Sequence, residues 1–471
     1  MPSLSSQALQ LRSLLETELP GQAELEVDAQ SAILGALGAR ASALPDGAIE
    51  MLSRELCFVL LLVLKRTRLP YSAEIGIAPL AAPIVLLSAA HAAASDGDGL
   101  VGAAELAAVR SDTLNALSAA LAKLFPALVA GAPWGLAANG TPSPPPNQPL
   151  LASFWLLVQW ESPALTQQLQ RGVGVSMLLM HAMLSLLSTG SSSAGVIRLV
   201  ELSLWDATPP VAPCHPALLL CAVLRSAEAA LLAVEPNELT PALRECLCVP
   251  TILAAERLHA NARSLATRLP ASLRASLDAS WCAGKPPHAP YVCAWLSPAE
   301  VAPEAGAAVG RFWVVDLRST SDFDQSHYAL TMHLPPEAAK QPEAREALRA
   351  ELVQVCSESE IGVALLTAAD PLGEPAANGG LSADDTRRIV HEFVRAGFRR
   401  VGVVGGGYAA LTREQLAALV TDDVTPRSEA EGGASSSSKA AAAVGMIGGA
   451  IKNTFNFAKR RAKPAPVSPP S

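Results

Sequence analysis

The stretch Phe312-Trp-Val-Val-Asp316-Leu-Arg318 is a short apolar run, rich in valine and aromatic side chains, that ends in an acidic and a basic residue. Two runs of similar length follow it along the chain, Ile361-Gly-Val-Ala-Leu-Leu-Thr367 and Arg400-Val-Gly-Val-Val404. Runs of this length and composition are typical of buried β-strands and are too short for ordinary helices. This part of the chain is therefore predicted to contain a sheet.

A helix separates the second and third runs, and the sequence marks both of its ends. Ser382 and Asp385 form a capping-box pair at its beginning, and Gly397 provides a left-handed stop at its end. Its apolar stripe consists of Ile389, Val390, Phe393 and Val394. Because strands that alternate with helices form parallel sheets, we assign residues 291–420 to a small α/β domain.

The chain before this domain has a helical pattern, with alanine and leucine as its main apolar residues. We assign residues 1–275 to an all-α domain and residues 276–290 to a linker. The proline- and glycine-rich segment from Gly131 to Pro149 is predicted to be an exposed, mobile loop. The predicted fold class is thus multidomain, an all-α domain followed by an α/β domain with a parallel sheet and a basic tail.

Residues 421–471 form a low-complexity tail that we predict to be disordered. From Gly432 onwards it carries six basic residues and no acidic residue, so the rest of the chain carries −14 within the total charge of −8. Three apolar residues at helical spacing, Ile447, Ile451 and Phe455, precede the basic cluster. This pattern indicates a short amphipathic basic helix for an anionic membrane or a partner groove, with a solvated basic tail as the alternative.

Charge and hydropathy argue against several classes of protein. A net charge of −8 argues against a nucleic-acid-binding protein. Half of the residues are hydrophobic, but no apolar run reaches the roughly 20 residues that a membrane-spanning helix needs. The N-terminus contains no apolar signal core, so we expect a cytoplasmic protein.

The residues that commonly bind metals and cofactors do not form a complete motif. The eight cysteines include no CxxC pair, and Cys246-x-Cys248 lacks a second pair at zinc spacing. The segment from Asp96 to Glu105 imitates a calcium-binding loop, but Ala94 occupies the position of the first oxygen ligand. Gly405-Gly-Gly407 does not have the spacing of a dinucleotide-binding loop. We therefore expect no metal ion and no cofactor.

The α/β part resembles a rhodanese domain. The resemblance is carried by Asp316-Leu-Arg318 after a strand, then Phe323, His327, His333-Leu334 and the terminal Val401-Gly-Val-Val-Gly-Gly-Gly-Tyr408 turn. In an active rhodanese, a cysteine begins the loop after the central strand and carries sulfur as a persulfide. Here that loop contains Ala368, Ala369, Asp370 and Gly373 but no cysteine, and Cys356 precedes the strand. The resemblance therefore implies a domain without sulfurtransferase activity.

The helical part resembles a TBC domain, the fold of Rab GTPase-activating proteins. The resemblance is carried by Phe154-x-Leu156-Leu157, Glu161-x-Pro163-x-Leu165, Trp205-Asp206 and the stretch from Tyr71 to Leu87. Active TBC domains carry the motifs IxxDxxR and YxQ, whose arginine and glutamine act on the nucleotide bound to the GTPase.

Both of these TBC motifs are degenerate here. The best alignment gives Leu25-x-x-Asp28-x-x-Ser31 for the first and Tyr71-x-Ala73 for the second. Ser31 therefore replaces the arginine, and Ala73 replaces the glutamine. Because an arginine finger contributes roughly 10³–10⁵ in rate, the resemblance implies a folded but non-catalytic domain.

A degenerate TBC domain followed by a degenerate rhodanese domain implies a non-catalytic adaptor in vesicle capture and tethering during endosome-to-Golgi transport. The resemblance implies golgins of the trans-Golgi network as partners, with Rab GTPases as further candidates. It also implies a cytoplasmic protein, peripheral at the trans-Golgi network and on endosome-derived vesicles. In the family that combines these two degenerate domains, a subunit of the WASH complex binds a C-terminal PH-like domain. That domain is not visible in this sequence, so this partner is doubtful. The basic tail is the candidate for peripheral membrane contact, and nucleic acid is not expected.

Two enzymatic alternatives remain open at the level of sequence. The helical domain would be an active Rab GTPase-activating protein if Arg40, Arg54 or Arg68 served as the catalytic arginine. The α/β domain would be a sulfurtransferase if Cys356 formed a persulfide, although this cysteine lies before the strand rather than after it.

Overall fold

The structure is a computed structural model, and it describes residues 22–67, 71, 77–95, 103–126, 147–205, 215–283, 293–301, 312–328, 331–357, 361–368 and 381–411. The chain divides into two compact units. The first comprises Met1–Val158, Ala164–Leu269 and Arg274–Pro287, and the second comprises Gln159–Pro163, Pro270–Leu273 and His288–Ser471.

The described part of the chain up to residue 283 is helical. Its α-helices are α1 (Gln22–Leu37), α2 (Ala48–Thr67), α3 (Ile77–Ser95), α4 (Ala103–Leu124), α5 (Asn147–Glu161), α6 (Pro163–Arg171), α7 (Val175–Leu184), α8 (Ser193–Trp205), α9 (His215–Ser226), α10 (Glu228–Leu232), α11 (Leu239–Cys246), α12 (Ile252–Arg268) and α13 (Ala271–Ala283). A 3₁₀ helix, Gly38–Ala43, follows α1.

The core of the helical unit is built from aliphatic side chains on closely packed helices. Helix α1 packs against α2 and α3, α3 packs against α4, and α8 and α9 both pack against α12. On α2, Leu56, Leu60 and Leu64 recur every four residues and are completely buried. Each such leucine contributes about 1.5–3 kcal/mol when it leaves water, so these stripes supply most of the stability of the unit.

The second unit contains a five-stranded parallel sheet. Its strands are β1 (Ala294–Leu296), β2 (Phe312–Asp316), β3 (Thr331–His333), β4 (Gly362–Leu366) and β5 (Val401–Val404), in the spatial order β1-β5-β4-β2-β3. The helices that follow the strands are α14 (Pro298–Val301), α15 (Thr320–Gln325), α16 (Pro336–Ala339), α17 (Pro342–Ser357) and α18 (Ala383–Arg395). The three apolar runs of the sequence are the three inner strands, so the predicted parallel sheet is confirmed.

The inner strands are buried on both faces, as expected for a parallel sheet covered by helices. Helix α18 begins as the sequence predicts, because Ser382 is its N-cap and accepts a hydrogen bond from the backbone N–H of Asp385 at 3.1 Å. Gly397 follows its last turn with a φ of +87°. The predicted apolar stripe of this helix, from Ile389 to Val394, packs into the core beside β4 and β5.

Gly362, at the start of the middle strand β4, is required by a close approach of two neighbouring segments. A Cβ atom at this position would lie 2.6 Å from the carbonyl oxygen of Arg400 and 2.9 Å from the ring of Phe312. The neighbour is backbone on one side, so it cannot move aside as a side chain would. The glycine thus allows the middle strand to enter the sheet between β2 and β5.

The structure corrects one predicted boundary and leaves other segments outside its described residues. The loop predicted to extend to Pro149 ends earlier, because α5 begins at Asn147 and Pro149 is buried in its first turn, where proline is tolerated. The calcium-like segment up to residue 102 and the C-terminal tail lie outside the described residues. None of the helices in the described ranges is both long enough and apolar enough to cross a membrane.

An ion pair between two helices of the second unit contributes pH-dependent stability. Arg345 donates through Nε and Nη2 to the two carboxylate oxygens of Glu392, both at 2.8 Å, and Arg349 adds a bond at 2.5 Å. Burial by itself raises the pKa of Glu392, but the hydrogen bonds and charges of the two arginines lower it overall. A carboxyl with a lowered pKa stabilises the fold above its unfolded pKa, and this stabilisation is lost as the pH falls through the folded pKa.

We expect Glu392→Gln to lower the free energy of unfolding by roughly 1–3 kcal/mol at pH 7, because two arginines lose a charged acceptor. The effect should shrink in acid, once the pH has fallen through the lowered folded pKa of Glu392 and the wild-type carboxyl is also protonated. Hydrogen exchange of peptides from α17 and α18 at both pH values measures it, with the exposed Glu346→Gln as the control. An equal loss at both pH values would contradict the expectation.

Candidate functional site

A cavity of about 290 Å³ in the helical unit is lined by three of the residues singled out by sequence analysis, Asp28, Ser31 and Tyr71. Its other lining residues are Ala32, Gly35, Ala36, Pro79, His181, Ser188, Thr189 and Gly190. The fourth residue, Ala73, lies outside the described residues. The alignment of two degenerate motifs, made on sequence alone, thus points to residues that share one cavity.

Helix α1 lines the cavity with one face. Ser31, Ala32, Gly35 and Ala36 follow Asp28 at intervals of three, four, seven and eight residues, which places all five on the same side of an α-helix. The side chains after Asp28 are all small, so this face leaves open space beside the helix.

The base of the cavity is formed by a hydrogen bond between Tyr71 and Asp28. The phenol of Tyr71, only 6% exposed, donates to Oδ2 of Asp28 at 2.7 Å. Burial raises the pKa of Tyr71, and the hydrogen bond to Asp28 and the negative charges of Asp28 and Glu24 raise it further. Tyr71 is therefore a proton donor here, and its proton is committed to the carboxylate of Asp28.

The opposite wall is a tight turn after α7 with an unusual backbone. Leu186 and Leu187 are consecutive buried residues with φ values of +51° and +60°, in the left-handed region that leucine rarely adopts. Each such residue costs on the order of 1–3 kcal/mol, so the surrounding structure has to impose it. The turn leads directly to Thr189, whose Oγ1 lies 2.9 Å from Nε2 of His181.

Serine hydroxyls hold this turn in place. Ser191 donates through Oγ to the carbonyl of Leu187 and accepts from the backbone N–H of Val249 at 2.7 Å. Ser192 returns a backbone hydrogen bond to the carbonyl of Val249 at 3.0 Å. The turn is thereby anchored to the segment before α12, and the cavity has a rigid wall.

The arginines considered as alternative catalytic groups do not line this cavity. Arg40 is exposed on the 3₁₀ helix, Arg54 is exposed and paired with Glu50 at 2.6 Å, and Arg68 lies outside the described residues. Among the described residues that line the cavity there is neither an arginine nor a lysine.

A larger groove of about 680 Å³ in the same unit is mostly apolar. It is lined by Ile84, Leu87, Asn115, Ala116, Ala119, Ala122, Lys123, Ile197, Val200, Glu201 and Leu204. Its two charged groups have partners, because Lys123 donates to the carbonyl of Leu204 and Glu201 accepts from Arg198 at 3.0 Å. The groove therefore presents apolar surface rather than groups suited to acid–base chemistry.

In the second unit, the residues singled out from the sequence meet at the carboxyl end of β2. The side chains of Asp316 and Arg318 are 0% and 2% exposed, and the guanidinium donates to the carboxylate through Nε at 2.9 Å and Nη2 at 2.6 Å. Nη2 also donates to the carbonyl of Ser326 at 2.6 Å. The Asp-x-Arg pattern thus forms a buried ion pair that organises the loop after β2.

Aromatic rings also take part in the packing around the ion pair of Asp316 and Arg318. The guanidinium carbon of Arg318 lies 3.9 Å from the ring centre of Tyr408, a favourable cation–π arrangement. Phe323 stacks between His327 and His333, with ring centres 4.2 Å apart on each side. His333 also bonds through Nε2 to the carbonyl of Arg318 at 3.0 Å. Both histidines thus pack against residues of this domain.

The loop after the middle strand is described only at its beginning. Thr367 and Ala368 follow β4, and their carbonyls accept backbone hydrogen bonds from Tyr408 and Ala409 at 2.7 and 3.3 Å. Ala369, Asp370 and Gly373 lie outside the described residues. The described part of this loop therefore contains no cysteine.

Three of the described thiols are poorly suited to nucleophilic chemistry. Cys356 lies near the end of α17, before β4, and burial raises its pKa to about 11. Burial also raises the pKa of Cys57 to about 11 and that of the fully buried Cys293 further still. A thiol is reactive as its thiolate, so raised pKa values leave little of the reactive form at neutral pH.

Sequence analysis did not identify the turn that forms the far wall of the cavity. His181, Ser188 and Thr189 come from a segment without a motif, and their approach to Asp28 depends on tertiary packing. The dense serine run that surrounds the turn, Ser185 to Ser193, was the available signal, because serine hydroxyls favour turns and bond to backbone groups.

Comparison with known proteins found no family model and no curated protein that matches this chain.

We expect Asp316→Ala to destabilise the second unit by about 3–5 kcal/mol, because it leaves the buried Arg318 without its counter-ion. Hydrogen exchange of the peptides covering β2 and β4 measures the loss. Asp384→Ala removes the acidic partner of an exposed pair, Asp384 and Arg387, and should cost less than about 1 kcal/mol. Similar costs for the two variants would mean that burial of the first pair is not decisive.

We expect Tyr71→Phe to lower the free energy of unfolding of the helical unit by about 0.5–1.5 kcal/mol, since one part-buried hydrogen bond is lost. The same change should remove one tyrosine that ionises only above the usual pH range, because the pKa of Tyr71 lies above its usual value. Spectrophotometric titration of tyrosine in both proteins checks this. The number of phenols ionised at pH 11 should be the same in both proteins, and one fewer in the variant would show that Tyr71 titrates normally.

Proposed function

We propose that this chain is a non-catalytic adaptor that captures and tethers vesicles in endosome-to-Golgi transport, through protein contacts of a TBC-like domain and a rhodanese-like domain. The two domain types occur in this order in TBC domain family member 23, which the sequence resembles. The helical unit and the following α/β unit with a parallel sheet support the proposal at the level of fold class.

The observation that carries the proposal is the composition of the cavity around Asp28. The TBC resemblance assigns its catalytic arginine to the position of Ser31, and Ser31 lines this cavity with Asp28 and Tyr71. A serine hydroxyl carries no charge and cannot stabilise the charge that develops on a transferring phosphoryl group. No described lining residue supplies a replacement guanidinium or ammonium group.

The second domain supports the same interpretation through its thiols. Ala368 begins the loop where an active rhodanese has its cysteine, and Cys356 precedes the middle strand with a raised pKa. Sulfur transfer needs a thiolate at the carboxyl end of that strand. We therefore propose that both domains are used as binding surfaces.

The proposed partners are golgins of the trans-Golgi network, with Rab GTPases as further candidates. The proposed location is the cytoplasmic face of the trans-Golgi network and of endosome-derived vesicles. A cytoplasmic location is compatible with the lack of a membrane-spanning helix among the residues that the structure describes.

The test combines a catalytic assay with a binding assay on the full chain. We expect no stimulation of GTP hydrolysis across a panel of Rab GTPases, with an active TBC protein as the positive control. We also expect the chain to retain N-terminal golgin segments in a pull-down. Stimulation that is abolished by Arg40→Ala, Arg54→Ala or Arg68→Ala would establish the enzymatic alternative, and failure to bind any golgin segment would overturn the adaptor proposal.

A further inference from the structure

The hydrogen bonds around the cavity of Asp28 leave it rich in acceptors. Tyr71 gives its hydroxyl proton to Asp28, and Ser188 gives its own to the carbonyl of Ser185. A hydroxyl whose proton is committed in this way can still accept through its oxygen. Two hydroxyl oxygens and one carboxylate are therefore present for an incoming donor.

The titratable groups that line the cavity are Asp28, Tyr71 and His181, and the carboxylate of Asp28 is the negative one. Asp28 is the acidic lining residue, and no lysine or arginine is found among the described lining residues. The raised pKa of Tyr71 is caused first by burial and then by Asp28 and Glu24. An anionic ligand is disfavoured in such a cavity, and a ligand with several N–H donors and a positive charge is favoured.

Helix α1 contains a glycine, Gly35, that the packing of the helix does not require. A Cβ atom on Gly35 would meet no atom within 4 Å, and Gly35 does not adopt a left-handed φ. Glycine within a helix costs about 0.5–1 kcal/mol relative to alanine, so its presence here weakens α1 without a packing reason. What it does provide is open space beside Ser31 and Asp28.

The size of the cavity limits what can enter it. Pockets that bind whole small molecules usually occupy about 300–1,000 Å³, and this cavity of about 290 Å³ lies just below that range. The turn at Leu186 and Leu187 is held by a serine hydrogen bond on the far side of this cavity. A cavity of this size suits one long side chain rather than a nucleotide.

We propose that the cavity binds a single basic side chain, arginine or lysine, from a partner protein, with Asp28 as its counter-ion. The planar fork of arginine can bond to the carboxylate and to a hydroxyl at the same time, and the ammonium of lysine offers three donors. The inference rests on the proposed adaptor function, since the side chain belongs to a bound protein. It assigns the binding of this basic side chain to four residues, Asp28, Ser31, Tyr71 and Ser188.

The test uses acetylated and amidated pentapeptides, Gly-Gly-X-Gly-Gly, in which X is arginine, lysine or the neutral isostere citrulline. Ligand-observed saturation-transfer NMR on the full chain measures their binding, which we expect on the order of millimolar for a single anchor residue. The citrulline peptide should bind roughly tenfold or more weakly, because it lacks the charge. Equal binding of the citrulline peptide would overturn the proposal.

Two variants of the cavity and one control locate the binding. Asp28→Asn keeps an oxygen for the Tyr71 hydroxyl but removes the charge, and Gly35→Met fills the open space with a better helix former. Both should abolish binding of the arginine peptide, and the urea midpoint of Gly35→Met should stay the same or rise. Asp112→Asn, on the exposed face of α4, should bind as the wild type does. Binding that survives Asp28→Asn would overturn the proposal.

The free amino-acid derivative N-acetyl-arginine amide separates a partner's side chain from a small metabolite. If it binds but the arginine pentapeptide does not, the cavity excludes a polypeptide and the proposal fails. The golgin pull-down is independent of these measurements. Golgin binding without peptide binding refutes the cavity proposal alone, and peptide binding without golgin binding refutes the proposed function alone.

Discussion

The buried charge of Arg318 is the constraint on which the carboxyl edge of the sheet depends. A guanidinium cannot lose its proton, so a completely buried one has to be surrounded by acceptors. Asp316 supplies the carboxylate from the end of β2, Ser326 supplies a carbonyl, and Tyr408 supplies an aromatic face. Each of these groups comes from a different segment, so one cation holds three segments together.

The same atoms explain why Asp-x-Arg is not by itself a catalytic signal here. All the bonds of the pair are directed inward, to residues that shape the loops after β2 and β5. The stacked rings of His327, Phe323 and His333 extend this packing. The residues around Arg318 could hold a reactive side chain at this edge of the sheet, but the methyl side chain of Ala368 is not reactive.

Much of the fold was predictable from the sequence, because the responsible signals are local. Ser382, Gly397 and the stripe from Ile389 to Val394 specify α18 within a few residues of sequence, and the structure confirms each of them. The strand β1 was not identified, since three residues are too few for a periodic pattern. Pro149 was assigned to a loop because proline usually breaks helices, whereas here it lies in a first turn.

Only half of the candidate site could be predicted from the sequence. Asp28, Ser31 and Tyr71 were all singled out through the alignment of the two TBC motifs. The facing wall of His181 and Thr189 has no such signal, since it depends on two leucines held in a conformation that their own preferences oppose. Local propensity cannot predict a backbone that only the surrounding packing can impose.

The two three-residue strands have a consequence for association between copies of the chain. They lie at the two edges of the sheet, so the edge backbone groups among the described residues are on its shortest strands. An edge this short gives another chain little to pair with and is a common protection against edge-to-edge aggregation. Pairing of this sheet with a second copy through its edges is therefore disfavoured.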